Sequence, residues 1–132
     1  MALILIADDD ELILDMVADA LRQRGHVVGT LEDGRHVIEI VNFKRPSLVI
    51  LDCGMPTISG IDVLRQIRAS QTCFDTPVLM LTGRRSDADE EIAMRAGANE
   101  YMRKPFIVSK LVDCAECLIL EAESRRPQAA SM

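Results

Sequence analysis

Asp8, Asp9, Asp10, Asp52, Thr82 and Lys104 are residues of the types that handle metal ions and phosphoryl groups, and each stands where an apolar, strand-like run ends. Leu3 to Ala7 runs into Asp8-Asp9-Asp10, Leu48 to Leu51 into Asp52, Val78 to Leu81 into Thr82, and Tyr101-Met102 into Arg103-Lys104. If these runs are parallel strands of one sheet, their ends meet at one edge and surround a common point with carboxylates, a hydroxyl and an ammonium. Crowded carboxylates raise one another's proton affinity unless a cation intervenes. A hard divalent ion such as magnesium, or manganese in its place, takes oxygen ligands, keeps several waters and uses one or two protein carboxylates. Asp9 and Asp52 are expected to bind it directly, Asp8 chiefly through water, and the backbone carbonyl of Gly54 is expected to add a further oxygen. An ionised Asp52 at a strand end is also a nucleophile toward phosphorus, giving an acyl phosphate whose oxygens Lys104 and Thr82 hold. Taken singly, each residue has a plainer use: the aspartates as helix caps or turn residues, Thr82 as a strand residue, Lys104 as a solvated charge. Their conjunction at successive strand ends is what points to phosphoryl chemistry.

The elements that must position these groups alternate in type. Short β-rich runs follow amphipathic stretches in five βα units, the pattern of a parallel sheet covered by helices on both faces. After the first strand, Leu12, Ile13, Met16, Val17, Ala20 and Leu21 recur at helical spacing, with a basic last turn and Gly25 just beyond it. A strand over His26 to Thr30, a helix bearing Val37, Ile38 and Val41 that stops before Pro46, and a strand opened by Ser47 come next. The Gly- and Pro-bearing stretch Cys53 to Gly60 predicts an irregular loop at the site, ahead of a helix over Ile61 to Ala69. Pro77 opens the fourth strand, Ser86 or Asp87 caps a helix through Ala96 that Gly97 ends, and a brief strand at Glu100 to Met102 precedes a last helix from Val108 to Glu123. An open sheet of this kind binds ligands at the carboxyl ends of its central strands.

With 132 residues the chain fits one domain. No apolar stretch approaches a membrane span and no basic-then-apolar leader opens the chain, so a soluble, cytoplasmic protein is expected. Fifteen basic against 21 acidic residues give a formal charge of −6, which disfavours nucleic acid and anionic lipid as generic partners. The four cysteines show no disulfide framework and are expected to be thiols. Cys114 and Cys117 have the spacing of a redox pair but fall in an amphipathic helix, where they read as buried small residues. His26 and His36 lack a metal constellation, and Met16, Met80, Met94 and Met102 read as packing residues. Val108, Val112 and Ile119 add a second apolar stripe to the last helix, a feature that fits a homodimer surface or further packing within the chain.

Ile4-Leu5-Ile6-Ala7-Asp8-Asp9-Asp10, Leu51-Asp52 with Met55-Pro56 and Gly60, Leu81-Thr82-Gly83, and Tyr101 with Lys104-Pro105-Phe106 together resemble the receiver domain of two-component response regulators. The resemblance implies an α/β, flavodoxin-like, doubly wound (βα)5 fold with a five-stranded parallel sheet in the order 2-1-3-4-5, a strand order that general accounts illustrate with a member of this family. It implies a cis Lys104-Pro105 peptide; the polar, proline-bearing stretch from Ser124 to Met132 reads as a flexible tail after a receiver domain over residues 1–123. Asp52 then matches the phospho-acceptor, Asp8 and Asp9 the metal-binding pair, Thr82 the switch hydroxyl, Tyr101 the switch aromatic and Lys104 the phosphate-contacting cation. The chain departs from the family at Gly54 and Arg84, which flank the phosphate; Gly54 has no side chain to shield it, and Arg84 reads as a solvated charge.

The function so implied is regulatory rather than enzymatic, although such a domain assists its own phosphotransfer and dephosphorylation. A histidine kinase or histidine phosphotransfer protein phosphorylates Asp52. The added charge draws in Thr82, space opens for Tyr101, and the surface of the fourth helix, fifth strand and fifth helix changes for a downstream protein. The alternatives are a phosphorylation-independent binding module on the same fold, or a receiver belonging to a longer regulator. A phosphatase or flavin protein fits less well, for want of a second catalytic acid near Asp52 and because the phosphate site is acidic.

Overall fold

The computed structural model describes residues 2–83 and 87–125, with the side chains of 87 and 88 left aside. Ten elements alternate strictly: β1 (Leu3–Ala7), α1 (Glu11–Gln23), β2 (Val27–Leu31), α2 (Val37–Lys44), β3 (Leu48–Asp52), α3 (Gly60–Ala69), β4 (Val78–Thr82), α4 (Asp87–Arg95), β5 (Glu100–Arg103) and α5 (Val108–Arg125). All strand pairs are parallel and the sheet order is β2-β1-β3-β4-β5, the flavodoxin-like arrangement. The expected tail lies, from residue 126 on, outside the described residues, as do Arg84 and the proposed cap at Ser86; α5 itself continues two residues past the expected Glu123.

Strand alternation divides the interior into two layers. Ile4, Ile6, Leu48, Ile50, Leu79 and Leu81 face α1 and α5. Leu5, Ala7, Val49, Leu51, Val78 and Met80 face α2, α3 and Ala93 of α4. Every residue of β3 and β4 is buried, as strands covered on both faces must be. Helix ends follow their local chemistry: the Asp10 carboxylate accepts from Leu12 N–H at 3.0 Å, the Ser59 hydroxyl from Asp62 N–H at 3.2 Å, and Gly25 and Gly97 take φ of +88° and +109° where α1 and α4 end. The Lys104-Pro105 peptide is cis, as the resemblance implies.

Several side chains read as packed are not: Leu12, Met16, Met94 and Cys117 are exposed. In α1 the buried face is Leu14, Val17, Ala18 and Leu21, while Leu12 is 72% and Met16 43% exposed. Leu12 and Met16 lie on the far side of the helix from Leu14, so apolar type misidentified the face that geometry buries. Met94 is likewise exposed, whereas Met80 is fully buried and Met102 packs at the core's edge. In α5, Val112 and Ile119 are buried with the α1 residues in the same core layer, the packing within the chain that was one of the two readings of the second stripe. Cys114 is half-buried and Cys117 exposed; all four cysteines are free thiols, and burial pushes the Cys114 thiol up to about 11, against thiolate chemistry.

Candidate functional site at the strand ends

β1 and β3 are neighbours in the sheet, so Asp8, one residue past β1, and Asp52, the last residue of β3, emerge at the same edge. Asp8 is fully buried; its Oδ1 accepts the Asp10 N–H at 2.9 Å, which folds the acidic triplet back toward the sheet. Asp52 is 5% exposed, and its Oδ1 accepts the Gly54 N–H at 3.3 Å. One carboxylate oxygen from each of Asp8, Asp9 and Asp52 lies within 4.8 Å of the others. Lys104 reaches in from beyond β5, its Nζ 2.8 Å from Asp8 Oδ2 and 3.3 Å from Asp52 Oδ1.

Burial, then the neighbouring Asp8 charge, pushes the Asp52 carboxyl up to about 6, against the opposing pull of Lys104 and the Gly54 N–H. Burial also works against the Lys104 ammonium, but Asp8 and Asp52 outweigh it and hold that group above its usual value. Three ionised carboxylates against one ammonium leave negative charge uncompensated. Asp8 Oδ2 is in ion contact with Lys104, yet it is buried without an aligned hydrogen bond. A hard divalent cation fits that donor set: all-oxygen, acidic, buried on one side and open at Asp9 on the other.

The remaining predicted residues lie on β4, on β5 and in the loop after Asp52. Thr82 ends β4, is 1% exposed, and its carbonyl accepts the Lys104 N–H at 2.6 Å, tying the ends of β4 and β5 together. Tyr101 is 8% exposed, its ring already inside, and burial pushes the phenol up while the Thr82 hydroxyl acts against that rise. The expected inward travel of Tyr101 therefore has its end point occupied in this structure. Gly54 is exposed, and a side chain there would meet nothing within 4 Å.

The loop after Asp52 is held by features less visible in sequence. Thr57, a β-branched residue, takes φ of +71° inside a tight turn in which the Ile58 N–H bonds the Pro56 carbonyl at 2.8 Å. Gly60 donates to the Cys53 carbonyl at 3.1 Å, and a Cβ on Gly60 would overlap the Asp52 carbonyl. Sequence reading noted Gly60 only as part of a motif, and it missed Arg68 altogether. That half-buried guanidinium donates to the Gly97, Phe74 and Thr76 carbonyls and to Asn99 Oδ1, joining α3 to the loops that lead into β4 and β5. Nothing in the sequence around an arginine on an amphipathic helix distinguishes this role from a solvated one.

Comparison with known proteins follows the same lines. Residues 4–116 match the family described as the response regulator receiver domain. Among curated proteins the chain is similar to the response regulator MprA of Mycolicibacterium vanbaalenii, 36% identical over 83% of this chain and 46% of the relative. It is also similar to the alkaline phosphatase synthesis transcriptional regulatory protein PhoP of Bacillus subtilis, 31% identical over 94% of this chain and 51% of the relative. The chain thus spans about half the length of the curated relatives it matches. Among solved structures, a CheY-like receiver domain protein from Methanospirillum hungatei superposes with a TM-score of 0.88 at 24% identity, covering 96% of this chain and 99% of that one. The receiver domain of a sensor histidine kinase from Pseudomonas aeruginosa, solved with a magnesium ion coordinated in its active-site cleft, gives 0.82 at 27% identity over 89% and 97% of the two chains.

Proposed function

Because the chain belongs to the response regulator receiver family and so is a phosphorylatable regulatory domain, we propose that Asp52 is its phospho-acceptor, with residues 1–123 as the receiver unit. The observation that carries this reading is the placement of Asp52: at a strand end, nearly buried, within ion-pair distance of Lys104 and beside two further carboxylates. A carboxylate oxygen of Asp52 bonds to phosphorus as the bond from phosphorus to a histidine nitrogen of the donor breaks, and the freed imidazole leaves with the electron pair. Lys104 stays with the phosphoryl oxygens, and the Thr82 hydroxyl turns toward them. Asp8, Asp9, Asp52 and the Gly54 carbonyl hold magnesium, or manganese in its place; when bound, the ion supplies positive charge that offsets the phosphoryl oxygens. Gly54 leaves open space beside Asp52, by which water reaches the phosphorus and the domain dephosphorylates itself.

The donor is a histidine kinase or histidine phosphotransfer protein, and the exposed Leu12 and Met16 of α1, immediately beyond the acidic triplet, offer it an apolar docking surface. Thr82 at the end of β4 and Tyr101 on the neighbouring strand β5, where it pairs with Met80, convey the charge change to the α4, β5 and α5 surface read by a downstream protein. As a response regulator receiver, the chain acts in the cytoplasm; among the described residues no helix is long and apolar enough to cross a membrane.

The test is intact mass after incubation with acetyl phosphate and magnesium. The native chain should gain one phosphoryl group and Asp52→Asn none. A native chain that stays unmodified, with its fold verified by circular dichroism, would favour the phosphorylation-independent binding module instead.

A further inference from the structure

Far from the strand ends that carry Asp8 and Asp52, a cavity of about 450 Å³ opens between β2 and α2. Its origin is local. Gly29, paired with Leu5 of β1, is the middle residue of β2, and it places no side chain beneath Ile40 and Lys44 of the short helix α2. Ala2, Leu3, Leu5, Val27 and Pro46 add apolar lining, and the single charge among the described lining residues is the Lys44 ammonium.

Lys44, which lines the cavity, and its two neighbours in sequence bear on what the cavity takes. Lys44 has no ion-pair partner among the described residues and sits 5.9 Å from the centroid of the Phe43 ring. Phe43 itself is 83% exposed, in a chain with only three phenylalanines. Arg45 follows in the left-handed region, φ +49°, a conformation in which glycine would be unstrained, and its side chain is exposed and likewise without an ion-pair partner among the described residues. An unpaired cation on an apolar hollow, with a second next to it in sequence, stands out on a molecule whose formal charge is −6. Ligand sites have this composition: a few hundred Å³, mostly apolar walls, and a small number of polar groups that orient the guest.

We propose that the β2/α2 cavity is a binding site for a free amphiphile with an apolar body and one anionic head, of the medium-chain carboxylate class. The body lies over Gly29 and Leu5, beneath Ile40, and the head meets Lys44. This site is separate from the phosphorylation chemistry, and its occupancy is readable whatever happens at Asp52.

The test is a titration of the isotope-labelled full chain with decanoate below its micelle concentration, followed by amide NMR. Saturable shifts centred on Val27 to Gly29, Ile40 and Lys44 are expected. Lys44→Glu should weaken binding at least about threefold, within the range of one exposed charge pair, and a decyl cation of equal length should bind less well by a similar factor. Val27→Phe, a change at a half-exposed rim position, should abolish the shifts with its melting temperature preserved. Shifts that are absent or scattered over the surface, equal binding of the cationic amphiphile, indifference to Lys44→Glu, or undiminished binding by Val27→Phe would each overturn the proposal. Co-sedimentation with anionic vesicles without a response to decanoate would overturn it too, assigning the face to a membrane surface.

Discussion

At the scale of single residues the site is a problem in charge. Asp52 holds its proton more tightly in the fold, to about pH 6, than the ordinary carboxylate does near 3.8. A carboxyl with a raised folded value contributes most to stability below the unfolded value, and that contribution is lost as pH rises through the folded one. Without divalent cation, ionised Asp52 beside Asp8 should therefore weaken the fold above pH 6. Asp52→Asn is expected to be more stable than the native chain at pH 8 by on the order of 1–2 kcal/mol, with the difference vanishing below about pH 4. Magnesium should close the gap at pH 8 by stabilising the native chain, and do little at pH 4.5. Urea unfolding at the two pH values, with and without magnesium, measures this; a variant no more stable than the native chain at pH 8 would contradict the charge argument. The residues of this site were legible because each is a chemically distinctive type at a strand end. Arg68 and Thr57 were not, since an arginine's acceptors and a threonine's φ depend on loops that fold back from elsewhere in the chain.

At the scale of elements, two predictions separate positioning from docking. Gly60 starts α3 against the backbone of Asp52, and an added methyl would collide with the Asp52 carbonyl. Gly60→Ala should cost about 2 kcal/mol or more by forcing α3 away from the end of β3, and it should lower the rate of phosphorylation by acetyl phosphate in the fraction that remains folded. An unchanged denaturation midpoint would show that the loop has room that this geometry denies. Met16, by contrast, lies exposed on α1 beside the acidic triplet. Met16→Glu should leave stability and acetyl phosphate reactivity within error of the native chain while slowing phosphotransfer from a histidine kinase, as measured by radiolabel transfer. Equal slowing with both donors would remove α1 from the docking surface. Element boundaries were readable to within a residue or two, because Gly25, Pro46 and Gly97 act locally on backbone conformation. The buried face of α1 was not. Leu12 and Met16 are as apolar as Leu14, and only the positions of the sheet and α5 against the helix decide which side is covered.

At the scale of the whole molecule, the sheet is a wall between two cores, and successive residues of β4 report on opposite sides of it. Leu81 belongs to the layer under α1 and α5, Met80 to the layer under α2 and α3, and both are fully buried. Neither layer can persist alone. If the α2 and α3 layer opened, all-buried β3 and β4 would expose one apolar face along their full length. Unfolding should accordingly be a single cooperative transition, as is usual for a domain of this size. Leu81→Ala and Met80→Ala should each cost about 2–5 kcal/mol, and each should shift the urea midpoint while leaving the dependence on urea concentration unchanged. The alternative, two layers that melt separately, would appear as a lower slope or a second transition for one variant but not its neighbour. The same coupling gives a charge event at Asp52 a route outward: β3 and β4 border both cores, so a shift of Thr82 at the end of β4 cannot be absorbed by one layer without the other registering it.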